Sequence, residues 1–395
     1  MKKATRKHTK VHNQRLILRM IYRENQISRA DLARVTQLTK TTVSAIVSEL
    51  IAENIVEETG RGPSEGGKPP VLLGVVDDAH HLVGLDLANS QFRGAVFDLR
   101  GKVIHYVRVP LPDENGRLAL ENVYELTDVL LADVNRPLLG IGIGSPGLMD
   151  ARTGTVRQAV NLDWKDLPLR DLMQARYNVP VYLANDSHAA AMGEYTFGLD
   201  RGKENIVVVK VGRGVSAGIV LNGSLYYGDG SGAGEIGHVR VVDNGNLCLC
   251  GHTGCLETIA SSRALIEKAQ RIFTNDPQST LHKYAKEAHD IDTDLVLRAF
   301  NDGDTTIARI VEEAGHYLGA VVAILIGVLN IQTIIVSGSL ARLGQPIIDM
   351  ICEEMRKGAM SDLANNTNVH LSNLGQDVVM LGAASLVLSN ELGVV

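Results

Sequence analysis

The first fifty residues carry apolar side chains at the spacing of three consecutive helices. The first stripe predicts an amphipathic helix over about residues 12–24, and its members are Leu16, Ile17, Met20 and Ile21. Ser28, with Asp31 three residues later, is a typical start for a second, short helix. Thr39 can cap a third helix, whose apolar side would be formed by Val43, Ile46, Val47, Leu50 and Ile51.

The amino end of the third predicted helix is small, polar and basic. A helix of this kind can enter the major groove of DNA while the preceding helix contacts the backbone. The residues that would contact DNA from these helices are Arg29, Lys40, Thr41, Thr42 and Ser44. Three-helix bundles of other functions show the same stripes, so the pattern alone leaves DNA binding open.

Two strand-like segments follow, at residues 55–59 and 71–76, with a Gly/Pro-rich segment between them. The intervening residues carry Arg61 and Lys68. A basic hairpin after a helix-turn-helix is typical of a wing, and the alternative is an interdomain linker. The apolar strands on both sides favour the wing, so residues 1–79 are predicted to form a winged helix-turn-helix DNA-binding domain.

From residue 80 onward, strand patterns alternate with helical ones. The strand candidates are residues 82–87, 93–98, 103–109, 138–143, 181–184, 206–211 and 333–336. Two sets of strands with intervening helices predict a two-lobed α/β domain that binds its ligand in the cleft between the lobes. We expect the first lobe over residues 80–185 and the second over residues 186–395.

Charge divides the chain at the same place. Residues 1–40 contain eleven Lys and Arg but only two acids, a balance of +9, whereas the other 355 residues carry −15. A basic head on an acidic body indicates a nucleic-acid-binding segment attached to a separate domain. A solvated basic tail would give the same balance, but the basic arm lies directly beside the predicted helices. Its members are Lys2, Lys3, Arg6, Lys7 and Lys10.

The apolar runs are too short for membrane insertion or secretion. The longest, residues 318–329, has 12 residues, whereas a bilayer span needs about 18. Arg19 interrupts the run near the amino end, which excludes a signal-peptide core. We therefore expect a cytoplasmic protein without a membrane anchor.

Three of the four cysteines lie within eight positions. Together with a nearby histidine they supply one imidazole and three thiolates, which is the ligand set of a closed structural zinc site. The predicted ligands are His238, Cys248, Cys250 and Cys255. Cys-x-Cys is tighter than the commoner Cys-x-x-Cys, so adventitious loop thiols are the alternative. Cys352 lies on an apolar helix face and is predicted to be a buried hydrophobic residue.

Several motifs resemble those of the ROK family of repressors and sugar kinases. In chain order they occupy residues 141–147, 185–186, 211–218, 234–238 and 248–257. The most specific are Gly-Glu-Ile-Gly-His at 234–238 and the cysteine-rich segment. The resemblance implies an actin-like, sugar-kinase-like body, with zinc on the four residues named above.

The resemblance also implies a sugar pocket. One ring nitrogen of His238 would bind the metal and the other a sugar hydroxyl. The implied sugar-binding residues are Asn161, Asn185, Asp186, Glu235, His238 and Glu257. In ROK kinases the aspartate that matches Asp186 is the general base. Taken alone, the Asn-Asp pair is equally typical of a helix cap.

The chain departs from the kinases at two glycine loops. Residues 86–91 read Asp-Leu-Ala-Asn-Ser-Gln, so Ala88 and Asn89 replace the glycines that let the backbone approach ATP phosphates. In the second loop, Arg213 separates Gly212 from Gly214. These changes predict a protein that is not an enzyme, in which Asp186 is a vestigial kinase base.

The predicted function is a sugar-responsive transcriptional repressor of carbohydrate-metabolism genes. It would bind a pseudo-palindromic operator as a homodimer or higher homo-oligomer, and a sugar or a phosphotransfer-system protein would relieve repression. The alternatives are an active sugar kinase that also binds DNA, and a kinase-like enzyme whose head does not bind DNA. Responses to xylose, glucose and N-acetylglucosamine all occur among similar repressors, so the sugar itself stays open.

Overall fold

A computed structural model describes residues 6–63, 68–87, 91–110 and 116–395. The head contains, in order, α1 (Arg6–Glu24), β1 (Ile27–Ser28), α2 (Arg29–Thr36), α3 (Lys40–Ala52), β2 (Val56–Arg61) and β3 (Val71–Val75). The Ser28 hydroxyl accepts the backbone N–H of Asp31 at 3.1 Å, and the Thr39 hydroxyl that of Thr42 at 3.2 Å. These caps confirm the predicted starts of α2 and α3. Helix α1 begins at Arg6, before the predicted boundary. The prediction missed its first turns because they are polar and carry no apolar stripe.

The wing is an antiparallel hairpin. Strand β3 pairs with β2 on one side and with the short β1 on the other. A bulge between Glu58 and Gly60 shifts the register before Arg61 pairs with Val71. The predicted wing is therefore present, and its tip at residues 64–67 lies outside the described residues.

The first lobe is built on a five-stranded sheet of order β11-β7-β4-β5-β6. Its elements are β4 (His81–Asp86), β5 (Gln91–Phe97), β6 (Val103–Pro110), α4 (Gly116–Ala132), β7 (Leu138–Ser145), β8 (Leu148–Asp150), β9 (Thr155–Ala159), β10 (Trp164–Leu167), α5 (Leu169–Tyr177) and β11 (Val181–Asn185). Strands β8 to β10 form a separate small sheet beside the cleft.

The second lobe repeats this plan with the order β14-β13-β12-β15-β16. Its elements are α6 (Asp186–Phe197), β12 (Ile206–Val211), β13 (Val215–Leu221), β14 (Ser224–Leu225), α7 (Glu257–Ala260), α8 (Ser262–Asn275), α9 (Thr293–Asn301), α10 (Thr305–Leu329), β15 (Thr333–Ser337), α11 (Gln345–Gly358), α12 (Ser361–Asn366), β16 (Asn368–Leu371) and α13 (Val378–Val387). In each sheet, two of the pairings between neighbouring strands are parallel and two are antiparallel. This mixed α/β arrangement in two lobes confirms the predicted fold of the body.

Helix α13 returns to the first lobe. A Cβ atom on Gly142 of β7 would lie 1.9 Å from the carbonyl oxygen of Ala383, and one on Gly84 of β4 would lie 2.2 Å from that of Met380. On its other side, a Cβ on Gly382 would lie 1.6 Å from the carbonyl oxygen of Ala189 in α6. Glycine therefore lets α13 pack against both backbones. Packing thus places this helix between the first sheet and α6.

The head shares a hydrophobic core with the first lobe and with α13. The Tyr22 hydroxyl of α1 donates to the carbonyl of Leu99 at 2.8 Å, and the Arg100 guanidinium lies 4.4 Å from the Tyr22 ring centroid. Arg19 donates to the carbonyl of Gly393 at 3.1 Å. The head consequently packs against the body and contacts the segment that follows α13.

Helix α10 is long and apolar enough to cross a membrane by length and composition, yet 56% of its most apolar window is buried inside the protein. It packs along α11 within the main core of the second lobe. Burial of this kind is typical of a core helix.

Candidate functional site

A cavity of about 450 Å³ opens between the lobes, within the usual size of small-molecule sites. All six residues predicted to bind sugar line it: Asn161, Asn185, Asp186, Glu235, His238 and Glu257. They come from β11, α6, α7 and two connecting segments. The fold therefore gathers residues that are up to 96 positions apart in the chain into one cavity.

Asn185 and Asp186 lie where β11 ends and α6 begins. The Asn185 Oδ1 accepts the Ser187 backbone N–H at 2.9 Å, and its Nδ2 donates to the carbonyl of Gly147 at 3.0 Å. Asn185 is thus the cap of α6, as the bare dipeptide also suggested. Asp186 uses Oδ1 for the Ser187 N–H at 2.8 Å and Oδ2 for the Lys210 ammonium at 2.7 Å.

Two glycines hold Glu235 and His238 against the second sheet. A Cβ on Gly234 would lie 1.8 Å from the carbonyl oxygen of Ala217, and one on Gly237 would lie 2.1 Å from that of Val215. The Gly-Glu-Ile-Gly-His motif therefore follows from close packing of this turn on β13, which turns both polar side chains toward the cavity.

Glu257 begins α7 and closes the cavity near the second glycine loop. Its Oε2 accepts the Val215 backbone N–H at 3.1 Å, and a Cβ on Gly214 would lie 2.6 Å from the same oxygen. Burial raises the pKa of Glu235 to about 7, and the charges of Asp186 and Glu257 act in the same direction. The cavity is thus rich in hydrogen-bond acceptors, which suits a ligand with several hydroxyl groups.

The predicted metal ligands lie together beside the cavity, with their four ligand atoms within 4.8 Å of one another. The Cys250 and Cys255 sulfurs are 3.7 Å apart, and the Cys248 sulfur is 3.5 Å from Nδ1 of His238. A tetrahedron with metal–sulfur bonds of about 2.3 Å has edges of about 3.8 Å. The cluster therefore has the size and composition to hold a metal ion.

The three cysteines of the cluster differ in the direction of their pKa shift, because a hydrogen bond from the His252 backbone lowers the pKa of Cys250. Burial raises the pKa of Cys255 to about 12 and raises that of Cys248 as well. Thiolates at these positions consequently require a nearby positive charge. With Nδ1 of His238 on the metal side, its Nε2 lies on the side of Glu235, 3.8 Å from Oε2. Cys352 is half-buried against the core of the second lobe, away from the cluster.

The two glycine loops differ in how far the structure describes them. Ala88 and Asn89 lie outside the described residues. In the second loop, Gly212 donates its N–H to the carbonyl of Gly214 at 2.9 Å, and the bulky Arg213 lines the cavity. Lys210, on the adjacent strand, was not singled out from the sequence, although a lysine within an apolar strand run is a recognisable signal.

Most of the residues predicted to contact DNA lie on α3. Lys40, Thr41 and Ser44 are exposed, whereas Thr42 is half-buried with its hydroxyl 2.9 Å from that of Thr39. Thr42 therefore belongs to the cap as much as to the surface. The pattern of burial adds two exposed residues of the same face that were missed from sequence, Ala45 and Ser48.

The remaining candidate DNA contacts surround this face. Arg61 and Lys68 are exposed on the wing. Arg29 pairs with Glu58 of β2 at 3.0 Å and so braces α2 against the wing. Lys10 pairs with Glu49 of α3 at 2.8 Å. Residues 1–5 of the basic arm lie outside the described residues, and only the backbone is described at Arg6 and Lys7.

The fold and the site define a two-lobed, sugar-kinase-like domain that carries a winged-helix head. A sequence model described as the ROK family matches residues 82–390, and one described as the MarR family matches residues 12–65. The chain belongs to the ROK family.

Similar proteins fall into two groups. The xylose repressor of Bacillus subtilis (strain 168) is 31% identical over 386 residues, which is 97% of this chain and 96% of the relative. The crystal structure of a ROK family transcriptional regulator, a homolog of the Escherichia coli MLC protein, covers 98% of both chains with a TM-score of 0.83 and 27% identity. A ROK family glucokinase from Streptomyces griseus, solved with glucose and AMPPNP, has a TM-score of 0.71 and 28% identity. That match covers 98% of the glucokinase but 78% of this chain.

Proposed function

We propose that this chain is a sugar-responsive, DNA-binding repressor of carbohydrate-metabolism genes. The observation that carries this proposal is the full-length likeness to a xylose repressor and to a transcriptional regulator of the same family. The glucokinase likeness covers a smaller share, close to the extent of residues 80–395. The winged head is therefore the part that separates this chain from its kinase relatives, and a reduced, DNA-binding regulator works in the cytoplasm.

In this proposal the cavity between the lobes binds the sugar. Asp186, Glu235 and Glu257 accept hydrogen bonds from its hydroxyls, and Nε2 of His238 makes a further bond. Asn161 and Asn185 complete the pocket from the first lobe. Because Asn185 already uses Oδ1 and one Nδ2 hydrogen within the protein, we assign it the smallest direct share of the sugar contacts.

We propose that the metal of the His-Cys₃ cluster is zinc and that its role is structural. Three thiolates and one imidazole are a ligand set that zinc prefers and that leaves no open coordination position. The ion would fasten His238 and Cys255 to each other, and these residues adjoin Glu235 and Glu257 of the pocket. Zinc would thereby position three sugar contacts together.

We propose further that the chain does not phosphorylate sugars. Phosphoryl transfer depends on loops that approach the nucleotide phosphates, and both loops carry bulkier residues here. An active kinase is the second candidate, and the cleft-facing Asp186 favours it. A coupled assay with ATP and glucose or xylose should give background rates, whereas turnover that disappears in Asp186→Asn would establish the kinase instead.

The head is proposed to bind a pseudo-palindromic operator as part of a homodimer, since one recognition helix reads few base pairs. Lys40, Thr41, Thr42 and Ser44 would contact base edges, while Arg29, Arg61, Lys68 and the basic arm would contact the backbone or minor groove. Ile324 and Val328 are four residues apart on α10 and form an exposed apolar patch on this helix. This patch is a candidate for the contact between the two copies.

A continuous path of packed helices connects the two sites. Asp186 begins α6 at the sugar cavity, α6 packs on α13, and the segment after α13 receives Arg19 of α1. A change in lobe closure at Asp186 would therefore move α13 and the segment after it, which contacts the head. The sugar can weaken DNA binding only if it binds the DNA-free arrangement better, and a phosphotransfer-system protein is the alternative signal.

The proposal is tested by selecting bound fragments from a genomic library with the full chain at low salt. We expect enrichment of one pseudo-palindromic sequence, and loss of that enrichment in a Thr41→Ala, Ser44→Ala double variant. A thermal-shift screen of pentoses and hexoses on the same preparation should identify one stabilising sugar. Binding of all fragments alike, without a preferred sequence, would overturn the repressor proposal, whatever the sugar screen finds.

A further inference from the structure

Strand β12 places a positive charge inside the second lobe. All six residues of this strand are buried, and Lys210 is the only one that is not aliphatic. An ammonium ion in such a position is costly unless an anion lies against it. The partner of Lys210 therefore explains why the strand can contain it.

That partner is Asp186. The Lys210 ammonium lies 2.7 Å from Oδ2, and the two side chains are only 9% and 12% exposed. Burial lowers the pKa of Lys210, but the carboxylates of Asp186 and Asp86 outweigh burial and raise the pKa above its ordinary value. The two carboxylates thus favour the charged form of the lysine.

A second buried ion pair lies beside the first. Asp86 at the end of β4 pairs with Arg93 of β5, and both side chains are almost fully buried. Beside the cavity carboxylates Glu235 and Glu257, Asp186 and Asp86 are thus each paired with a buried side-chain cation of this chain. A phosphoryl-transfer site, in contrast, uses divalent cations to neutralise the charge of the transferred group.

The position of Lys210 also limits what can bind Asp186. Oδ1 accepts the Ser187 N–H, and Oδ2 accepts the ammonium. A divalent cation coordinated by this carboxylate would lie next to the ammonium ion, and two like charges in a buried site repel strongly. A neutral hydroxyl group, however, can still donate to a remaining lone pair of the carboxylate.

We propose that Lys210 is a positioning residue that acts as the built-in counter-ion of Asp186. It holds the carboxylate charged and fixed for a sugar hydroxyl, and it excludes divalent cations from that carboxylate. The sugar-positioning part rests on the proposed sugar-binding function, whereas the exclusion of cations does not. The zinc ligands are other residues and take no part in it.

The exclusion of cations is tested with Mn²⁺ alone, measured by electron paramagnetic resonance on protein with its metal cluster loaded. We expect the wild type to bind no Mn²⁺ that depends on Asp186. Lys210→Met should bind one Mn²⁺ per chain, and the double variant Lys210→Met, Asp186→Asn should lose it. Equal Mn²⁺ binding by the wild type and Lys210→Met would overturn the proposal.

The positioning role is tested by calorimetry with the sugar from the thermal-shift screen, or with D-xylose and D-glucose if none is found. Lys210→Met should weaken binding about tenfold or more, and millimolar Mg²⁺ should restore part of the affinity in this variant while leaving the wild type unchanged. Cation rescue distinguishes charge compensation from general structural damage. The matched control is Lys203→Met, an exposed lysine paired with Asp200, which should behave as the wild type.

Failure of the two proposals can be told apart. If the wild type binds no sugar, the sugar-binding function fails, and the Mn²⁺ comparison still decides the role of Lys210. If the wild type binds sugar but Lys210→Met binds it equally well, the positioning role is wrong. Should Lys210→Met fail to fold, the charge-neutral double variant keeps a folded protein for comparison, and Asp186-dependent Mn²⁺ binding by the wild type would by itself contradict the proposal.

Discussion

The exposed face of α3 and the cleft between the lobes both carry polar side chains, but those side chains differ in their exposure to water. On α3 the polar groups of Lys40, Thr41 and Ser44 lie in solvent. In the cleft, Asp186 and Lys210 are almost fully buried and hydrogen-bonded to each other. Single substitutions should therefore have larger effects in the cleft than on α3. A buried polar group that loses its partner still bears the full cost of its desolvation. An exposed group regains water instead.

The largest effect is expected at the metal cluster, which anchors the cleft. Cys255→Ser should reduce the metal content from about one ion per chain to none and abolish sugar binding, because His238 and Glu257 lose their common support. The head should still bind DNA at low salt, since it lies in another core. Metal analysis and calorimetry test this, with Cys352→Ser as the control. Sugar binding at wild-type strength in the metal-free variant would separate the cluster from the pocket.

The next effect concerns a single acceptor in the cleft. Glu257→Gln keeps the shape of the side chain but replaces a charged acceptor, and hydrogen bonds to charged groups contribute about 1.5–3 kcal/mol. Sugar affinity should therefore fall by roughly tenfold or more, as measured by calorimetry. Glu125→Gln on the exposed side of α4 is the matched control. If both variants bind sugar as the wild type does, the pocket lies elsewhere.

A third effect is expected at the junction between the two regions. Gly142→Ala would place a methyl group against the carbonyl of Ala383, and such overpacking costs about 1–3 kcal/mol in the free energy of unfolding. Because α13 carries the contacts to the head, the response of DNA binding to sugar should change as well. Gly327→Ala, at an open position of α10, should leave the unfolding free energy unchanged or raise it by up to about 1 kcal/mol, since alanine favours the helix. Similar unfolding curves for both variants would show that α13 tolerates a shift.

The smallest effects belong to the head. Lys68→Gln should weaken binding to all DNA sequences alike and reduce the slope of log affinity against log salt by about 0.9. Thr41→Ala should instead alter which sequence is preferred. Fluorescence anisotropy over a salt series, with cognate and scrambled duplexes, measures both. A sequence-dependent effect of Lys68→Gln would mean that the wing reads bases and does not merely hold phosphates.

Much of this arrangement could be predicted from sequence because it follows local rules. The caps of α2 and α3 depend on Ser28 and Thr39 alone, and the metal ligands lie within 18 residues. All five strands of the first sheet were visible as apolar runs, but in the second sheet only β12 and β15 were. The family resemblance, and not spacing, brought Asn161, Asp186 and Glu257 into one pocket.

What could not be predicted depends on contacts between distant segments. Nothing in the sequence of residues 378–387 indicates that this helix packs on β4 and β7. The close approach depends on Gly84 and Gly142, which lie far away in the chain. The pairing of Lys210 with Asp186 likewise joins strands and helices 24 residues apart. Ala45 and Ser48 were missed because their exposure depends on where α1 and the wing leave α3 uncovered.

The central claim is that the cleft and the head are coupled, and reciprocity gives the most direct test. Operator affinity would be titrated with and without saturating sugar, and sugar affinity with and without saturating operator, on the same full-length protein at one salt concentration. The account predicts that each ligand weakens the other by the same factor, about 5- to 150-fold, corresponding to a coupling of about 1–3 kcal/mol. Operator binding that is unaffected by a sugar known to occupy the cleft would contradict it.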